Sequence, residues 1–229
     1  MKSTPTNRAS WWAILLLVPA PSIGVYAAMY AFPGPLGQVL FGISKAWLLL
    51  FPLVWTGWIQ RERMGWPRFR RAGLAVALVS GVGIAALISG VYFGLAQEWF
   101  DMDAVRAKAA EIGLGTSSVY MAGAIYWCVV NALLEEYVWR WFVFRHFQRL
   151  VKPAAAVVLA SLCFTLHHTL ALVVYMNAGM NLLASFGVFA GGVIWCLLYL
   201  RYRNIWASYL SHLLSDAAIF AIGWILFFG

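Results

Sequence analysis

Seven stretches of about twenty or more mostly apolar residues account for most of this chain. They run Trp11–Phe32, Leu36–Gln60, Ala72–Leu95, Ser118–Phe144, Pro153–Met176, Met180–Leu200 and Asn204–Phe228. At 1.5 Å per residue, each is long enough as a helix to cross the ~30 Å apolar layer of a bilayer. Several breaks are too short to hold a second domain: Pro33-Gly34-Pro35, Asn177-Ala178-Gly179 and Arg201-Tyr202-Arg203. Charged residues make up 10% of the chain and hydrophobic ones 63%. Soluble domains carry about 25% charged residues, so a soluble domain is excluded, and disorder with it. The three cysteines fall inside apolar segments and read as buried thiols rather than a disulfide framework. The expected fold is all-α, a polytopic transmembrane helical bundle of seven or eight spans.

The formal net charge of +8 does not point to nucleic acid, because the basic residues sit at the ends of the apolar runs. Thirteen of the sixteen fall on one side of a seven-span map: Lys2, Arg8, Arg61, Arg63, Arg68, Arg70, Arg71, Arg140, Arg145, Arg149, Lys152, Arg201 and Arg203. The other side has Arg106 and Lys108, in a loop that also carries Glu98, Asp101, Asp103 and Glu111. The positive-inside rule then predicts a cytoplasmic N-terminus and an outside C-terminus. The first span, although it starts like a signal peptide, continues apolar past Ala27 and Ala28 and is expected to be retained. Phe100–Gly115 reads as a short amphipathic helix on the outer surface.

A charged side chain at the centre of a span costs about 2.5–3.5 kcal/mol even on lenient insertion scales, so each such residue is a functional candidate. The set is Lys45, Glu135, Glu136, His167, His168, His212 and Asp216. Glu136 and Arg140 share a helix face at four-residue spacing, as do Phe164 and His168, and His212 and Asp216. Glu135, rotated about 100° from Glu136, is left free of Arg140. His167 is expected to point away from His168 and to be secondary. Lys45 and His146 show no partner, and His146 is expected at the interface. Trp139 and Trp141 flank Arg140, facing either a cavity or lipid. From the cytoplasmic side, His212 lies at a depth of roughly 12 Å, Glu135 at roughly 15 Å and His168 at roughly 22 Å. The three can meet in a cavity open to the cytoplasm.

Glu135-Glu136-Tyr137-Val138-Trp139-Arg140 resembles the EExxxR signature of the CPBP family, the intramembrane proteases named for CAAX proteases and bacteriocin-processing proteins. Phe164 to His168 matches its FxxxH, and His212 to Asp216 its HxxxN or HxxxD. The three motifs occur in order within residues 118–229, which the resemblance marks as the catalytic helical core; residues 1–100 supply spans without a recognisable motif. The resemblance implies a metal-independent endopeptidase, without cofactor, in which Glu135 and His168 activate a water. His212 and Asp216 would stabilise the oxyanion, with Glu136, Arg140 and Phe164 in support. The implied substrate is a membrane-associated protein or peptide, and the implied location a prokaryotic plasma membrane. Asparagine, frequent at the last position, donates an N–H, whereas ionised aspartate only accepts. Asp216 is therefore either protonated or, as we expect, an orienting partner of His212.

Zinc is the mechanistic alternative, since two histidines and a carboxylate can bind it, but the HExxH helix motif is absent. A GxSxG elbow is also absent, and only one aspartate lies in a span. The alternative function is a non-catalytic scaffold or a transporter using the same polar cluster. No internal repeat of the kind that builds many transporters is found.

Overall fold

A computed structural model describes residues 7–32, 34–62, 69–96, 103, 106–107, 110 and 115–229. Among these, seven helices are long and apolar enough to cross a membrane: α1 (Asn7–Ala31), α2 (Pro35–Ile59), α3 (Leu74–Leu95), α4 (Ser117–Leu150), α5 (Pro153–Leu172), α6 (Ala178–Tyr202) and α7 (Ile205–Phe228). The seven expected spans are all present, and no strand occurs among the described residues. Most of the expected Phe100–Gly115 surface helix lies outside the described residues.

The sequence makes the helix starts explicit. Pro35 and Pro153 occupy first turns, where a missing N–H costs nothing. The Asn177 side chain accepts from the Met180 N–H at 3.0 Å, and that of Asn204 from Trp206 and Ala207 at 2.8 and 3.2 Å. Helix α1 begins at Asn7, four residues before the expected Trp11, and two helix ends also differ by four residues or more. Helix α4 continues six residues past Phe144, because Arg145–Leu150 is a polar extension whose His146 and Phe147 are still buried. Helix α5 stops at Leu172, and Val173 to Met176 form turns before Asn177 caps the next helix.

Helix α4 is the centre of the bundle. Residues 135–144 are buried without interruption, so this stretch has no lipid face. Around it, Ile14 and Leu17 of α1, Leu48 and Phe51 of α2, Val157 and Phe164 of α5, and Trp195 and Tyr199 of α6 close one apolar core. Helix α3 stands outside that core and packs along α7. A Cβ on Gly81 would lie 3.0 Å from the Ser211 Cα, and the Ser80 hydroxyl donates to that of Ser211 at 3.1 Å. Small residues let helices approach closely where lipid supplies no hydrophobic drive for association. Outward positions are apolar and exposed, including Trp58, Val79, Leu87 and Leu182, as a lipid-facing surface requires.

Two contacts fix the bundle at the end of α4. Arg149 donates to both carboxylate oxygens of Glu62 at 2.8 and 2.9 Å, and the Gln60 amide donates to His146 Nε2 at 3.0 Å. At the same end, Gly73 precedes α3 with φ +88°, and its missing Cβ would sit 2.5 Å from the Tyr202 ring. Both its conformation and its contact exclude a side chain.

Candidate active site

Three helices converge on one carboxylate. Helix α4 places Glu135, α5 places His167 and His168, and α7 places His212. Glu135 Oε1 accepts from the Asn131 amide at 3.0 Å and lies 3.7 Å from His167 Nε2. Glu135 Oε2 faces His168 Nε2 at 3.9 Å and His212 Nε2 at 3.7 Å. The two oxygens therefore have different surroundings: one is held by an amide, the other is presented to two imidazoles. Asp216 Oδ1 lies 3.6 Å from the same His212 nitrogen.

The imidazole tautomers follow from their other contacts. His168 Nδ1 meets the Phe164 carbonyl at 3.0 Å, and a carbonyl only accepts, so Nδ1 carries the hydrogen. In the neutral ring, the Nε2 lone pair then faces Glu135. His212 Nδ1 lies 2.9 Å from Glu136 Oε1, an oxygen that also has Arg140 Nη1 at 3.0 Å. The glutamate is the acceptor in both contacts, so His212 also presents Nε2 to the site. The Arg140 contact is a close approach of charges rather than an aligned hydrogen bond.

Aromatic rings hold this arrangement. The Arg140 guanidinium, fully buried, lies 4.7 Å from the Phe164 ring centre and 5.0 Å from that of Trp195. Trp195 stacks on His212 at 3.9 Å with planes 17° apart, and Trp139 stacks on His167 at 5.5 Å and 7°. Trp141 stacks instead on Tyr137.

The candidates Glu135, Glu136, Arg140, Phe164, His168, His212 and Asp216 thus lie together. Other expectations need correction. His167 does not point away: Glu135 lies between the directions of His167 and His168, so its two oxygens reach both. Glu136 is not confined to Arg140 but grips His212 as well, 76 residues away in sequence. Lys45 has a partner, since its ammonium donates to Asn131 Oδ1 at 2.5 Å, and its Nζ lies 5.3 Å from the Phe41 ring and 4.9 Å from that of Trp127. His146 also has partners: it is buried, with Nδ1 donating to the Phe142 carbonyl at 2.8 Å. Asn131 and Trp195 were not among the candidates, because neither belongs to a charged pair or a spaced motif.

Glu135, His167 and His168 each offer one ligand atom, all within 4.8 Å of one another. That donor set suits zinc chemically, although ligands of a tetrahedral zinc stand only about 3.3 Å apart, so the three would have to close in. Among the described residues, His167 Nδ1 has no hydrogen-bond partner of the kind that usually orients a ligating imidazole.

Residues 117–218 match the family model described as Rce1-like, type II CAAX prenyl endopeptidase. No curated protein and no solved structure matches the chain.

Proposed function

We propose, for a chain that belongs through residues 117–218 to the CAAX protease family, that Glu135 and His168 activate a water to cleave a peptide bond within the membrane. The family is one of CAAX-type intramembrane proteases; the glutamate mechanism is the reading we add. One observation carries it. Glu135 Oε2 and the lone-pair face of His168 Nε2 are both acceptors, set 3.9 Å apart. A water donating to one or both satisfies this pair of acceptors and is polarised for attack.

In this mechanism the water oxygen attacks the carbonyl carbon of the scissile bond as its proton passes to Glu135. The carbonyl oxygen gains negative charge and is met by Nε2–H of a doubly protonated His212, whose Nδ1–H is already given to Glu136 and so fixes the ring from behind. Asp216, in reach of the same nitrogen, holds that proton in place or, protonated, donates a second hydrogen bond. Collapse of the tetrahedral intermediate breaks the C–N bond, and the proton held by Glu135 leaves with the amine. Prepositioned donors at the oxyanion supply the largest share of such catalysis. No metal takes part in this reading, and zinc at Glu135, His167 and His168 would occupy the base itself.

The substrate class is a membrane-associated protein or peptide. The family description points to a prenylated C-terminal segment, so the test uses an internally quenched, S-farnesylated peptide ending in a cysteine-aliphatic-aliphatic-X sequence. Purified protein in vesicles should cleave it, and Glu135→Gln should lower kcat by at least ~10²-fold with unchanged thermal unfolding. Cleavage of native rate by Glu135→Gln would overturn the reading and leave the scaffold or transporter alternative.

A further inference from the structure

Lys45 belongs to α2, outside both the three motifs and the segment 117–218. Nothing in the water-activation scheme above uses it. A lysine inside a span is retained only where something compensates its charge. Its ammonium reaches the site through one side chain: Nζ donates to Asn131 Oδ1 at 2.5 Å, and Asn131 Nδ2 donates to Glu135 Oε1 at 3.0 Å. The orientation of that amide is not ambiguous. An ammonium can only donate, so the oxygen of Asn131 must face Lys45 and its NH₂ must face Glu135.

We propose that Lys45 is a positioning residue of the active site, acting through Asn131 to clamp Glu135 Oε1 and leave Oε2 as the oxygen that takes the proton. This rests on the reading of Glu135 as the base. Three features of the geometry argue for it. Asn131 stands one helical turn before Glu135 and is itself buried, so the amide has no water to turn towards. Lys45 polarises that amide, which strengthens its N–H donation to the carboxylate. The ammonium is boxed by the faces of Phe41 and Trp127, which leave Asn131 as the hydrogen-bond acceptor that draws it inward.

The cluster's charges are consistent with the same role. Glu135, Glu136 and Asp216 bring three carboxyl groups to one buried site, and Arg140 lies against Glu136. Lys45 is the second fixed cation, placed beyond Asn131 on the Oε1 side of Glu135, away from the His168 and His212 nitrogens that face Oε2. It offsets the base without touching it. A direct ion pair would tie up the carboxylate; an amide between them keeps it accessible.

The test compares Lys45→Met, Lys45→Arg, Asn131→Leu, the Lys45→Met/Asn131→Leu double variant and Glu135→Gln on the farnesylated peptide in vesicles. We expect Lys45→Met and Asn131→Leu each to lower kcat about 10–100-fold with KM changed less than about twofold, as for loss of a group that orients a reacting one. The double variant should be no slower than the slower single one, because both act along one path. Lys45→Arg should recover part of kcat. If Lys45→Met does not fold, Lys45→Ala with added methylammonium takes its place, and kcat should rise with amine concentration at constant KM. Native kcat in Lys45→Met, a loss confined to KM, multiplying losses in the double variant, or no response to amine would each overturn the proposal. An inactive Glu135→Gln beside a fully active Lys45→Met would remove only the relay. A fully active Glu135→Gln would remove the base reading as well.

Discussion

Glu136 accepts the Nδ1 hydrogen of His212 at 2.9 Å, across the interface between α4 and α7. The adjacent glutamates thus divide the work: Glu135 is presented to the reacting position, and Glu136 sets the imidazole that faces it. Asp216, one turn along α7 at 3.6 Å from Nε2, is not the group that fixes the ring from behind.

Replacing Glu136 should therefore injure stability and turnover together. Glu136→Ala strands the Arg140 guanidinium and the His212 N–H in the core, and breaking such a buried pair costs about 3–5 kcal/mol. Glu136→Gln retains a carbonyl for His212, so it should fold better than alanine while losing about 10–100-fold in kcat. Thermal unfolding in detergent beside kcat checks both. Equal stability of the two variants would mean that the contact to His212 contributes nothing.

Asp216 separates two demands on one position. Asparagine can donate to a developing oxyanion and also accept through its carbonyl, whereas alanine does neither. Asp216→Asn is expected to keep substantial kcat and Asp216→Ala to lose most of it, in single-turnover cleavage by folded protein. If the asparagine variant is as slow as alanine, the negative charge itself is required.

Chelation tests the donor set at Glu135, His167 and His168. Activity should survive exhaustive treatment with a strong chelator, and added zinc should inhibit by occupying Glu135. Loss of activity that zinc restores would make these three residues ligands.

Gly73→Ala should destabilise the protein by about 1–2 kcal/mol from the left-handed backbone alone, with a further loss from the Tyr202 contact. The Gly73→Ala/Tyr202→Ala pair should recover only the second part. Differential unfolding of the four proteins measures the split.

The orientation read from the basic residues is a separate expectation. Reporter fusions after Arg71 and after Arg149 should both give cytoplasmic signals, and one at the C-terminus an outside signal. An outside signal after Arg149 would reverse the entry route to the site.

The spans were legible because lipid imposes a length and an apolar composition on each of them. The end of α4 was not, since Arg145–Leu150 stays helical by packing His146 and Phe147 inward while its charges would end any hydropathy count. Pairs four residues apart on one helix, such as Glu136 with Arg140, could be read directly. Contacts between helices could not: Lys45 and Asn131 are 86 residues apart, and no local rule joins them. His167 departs from the expected direction for a geometric reason. A 100° offset separates two side-chain directions, but a carboxylate placed between them meets both.

The uninterrupted burial of residues 135–144 has a consequence for how the chain is made. During synthesis, α4 enters the bilayer before α5, α6 and α7 exist to surround it, so its polar groups must be tolerable in lipid for a time. The order of residues along the chain supplies that tolerance. Lys45 is already in place on α2 when Glu135 arrives; Glu136 brings Arg140 within its own helix; His212 and Asp216 enter last, one turn apart. Each acidic group thus reaches the membrane together with, or after, a basic partner. The nascent protein need never hold a lone carboxylate in the hydrocarbon while it waits for its neighbours.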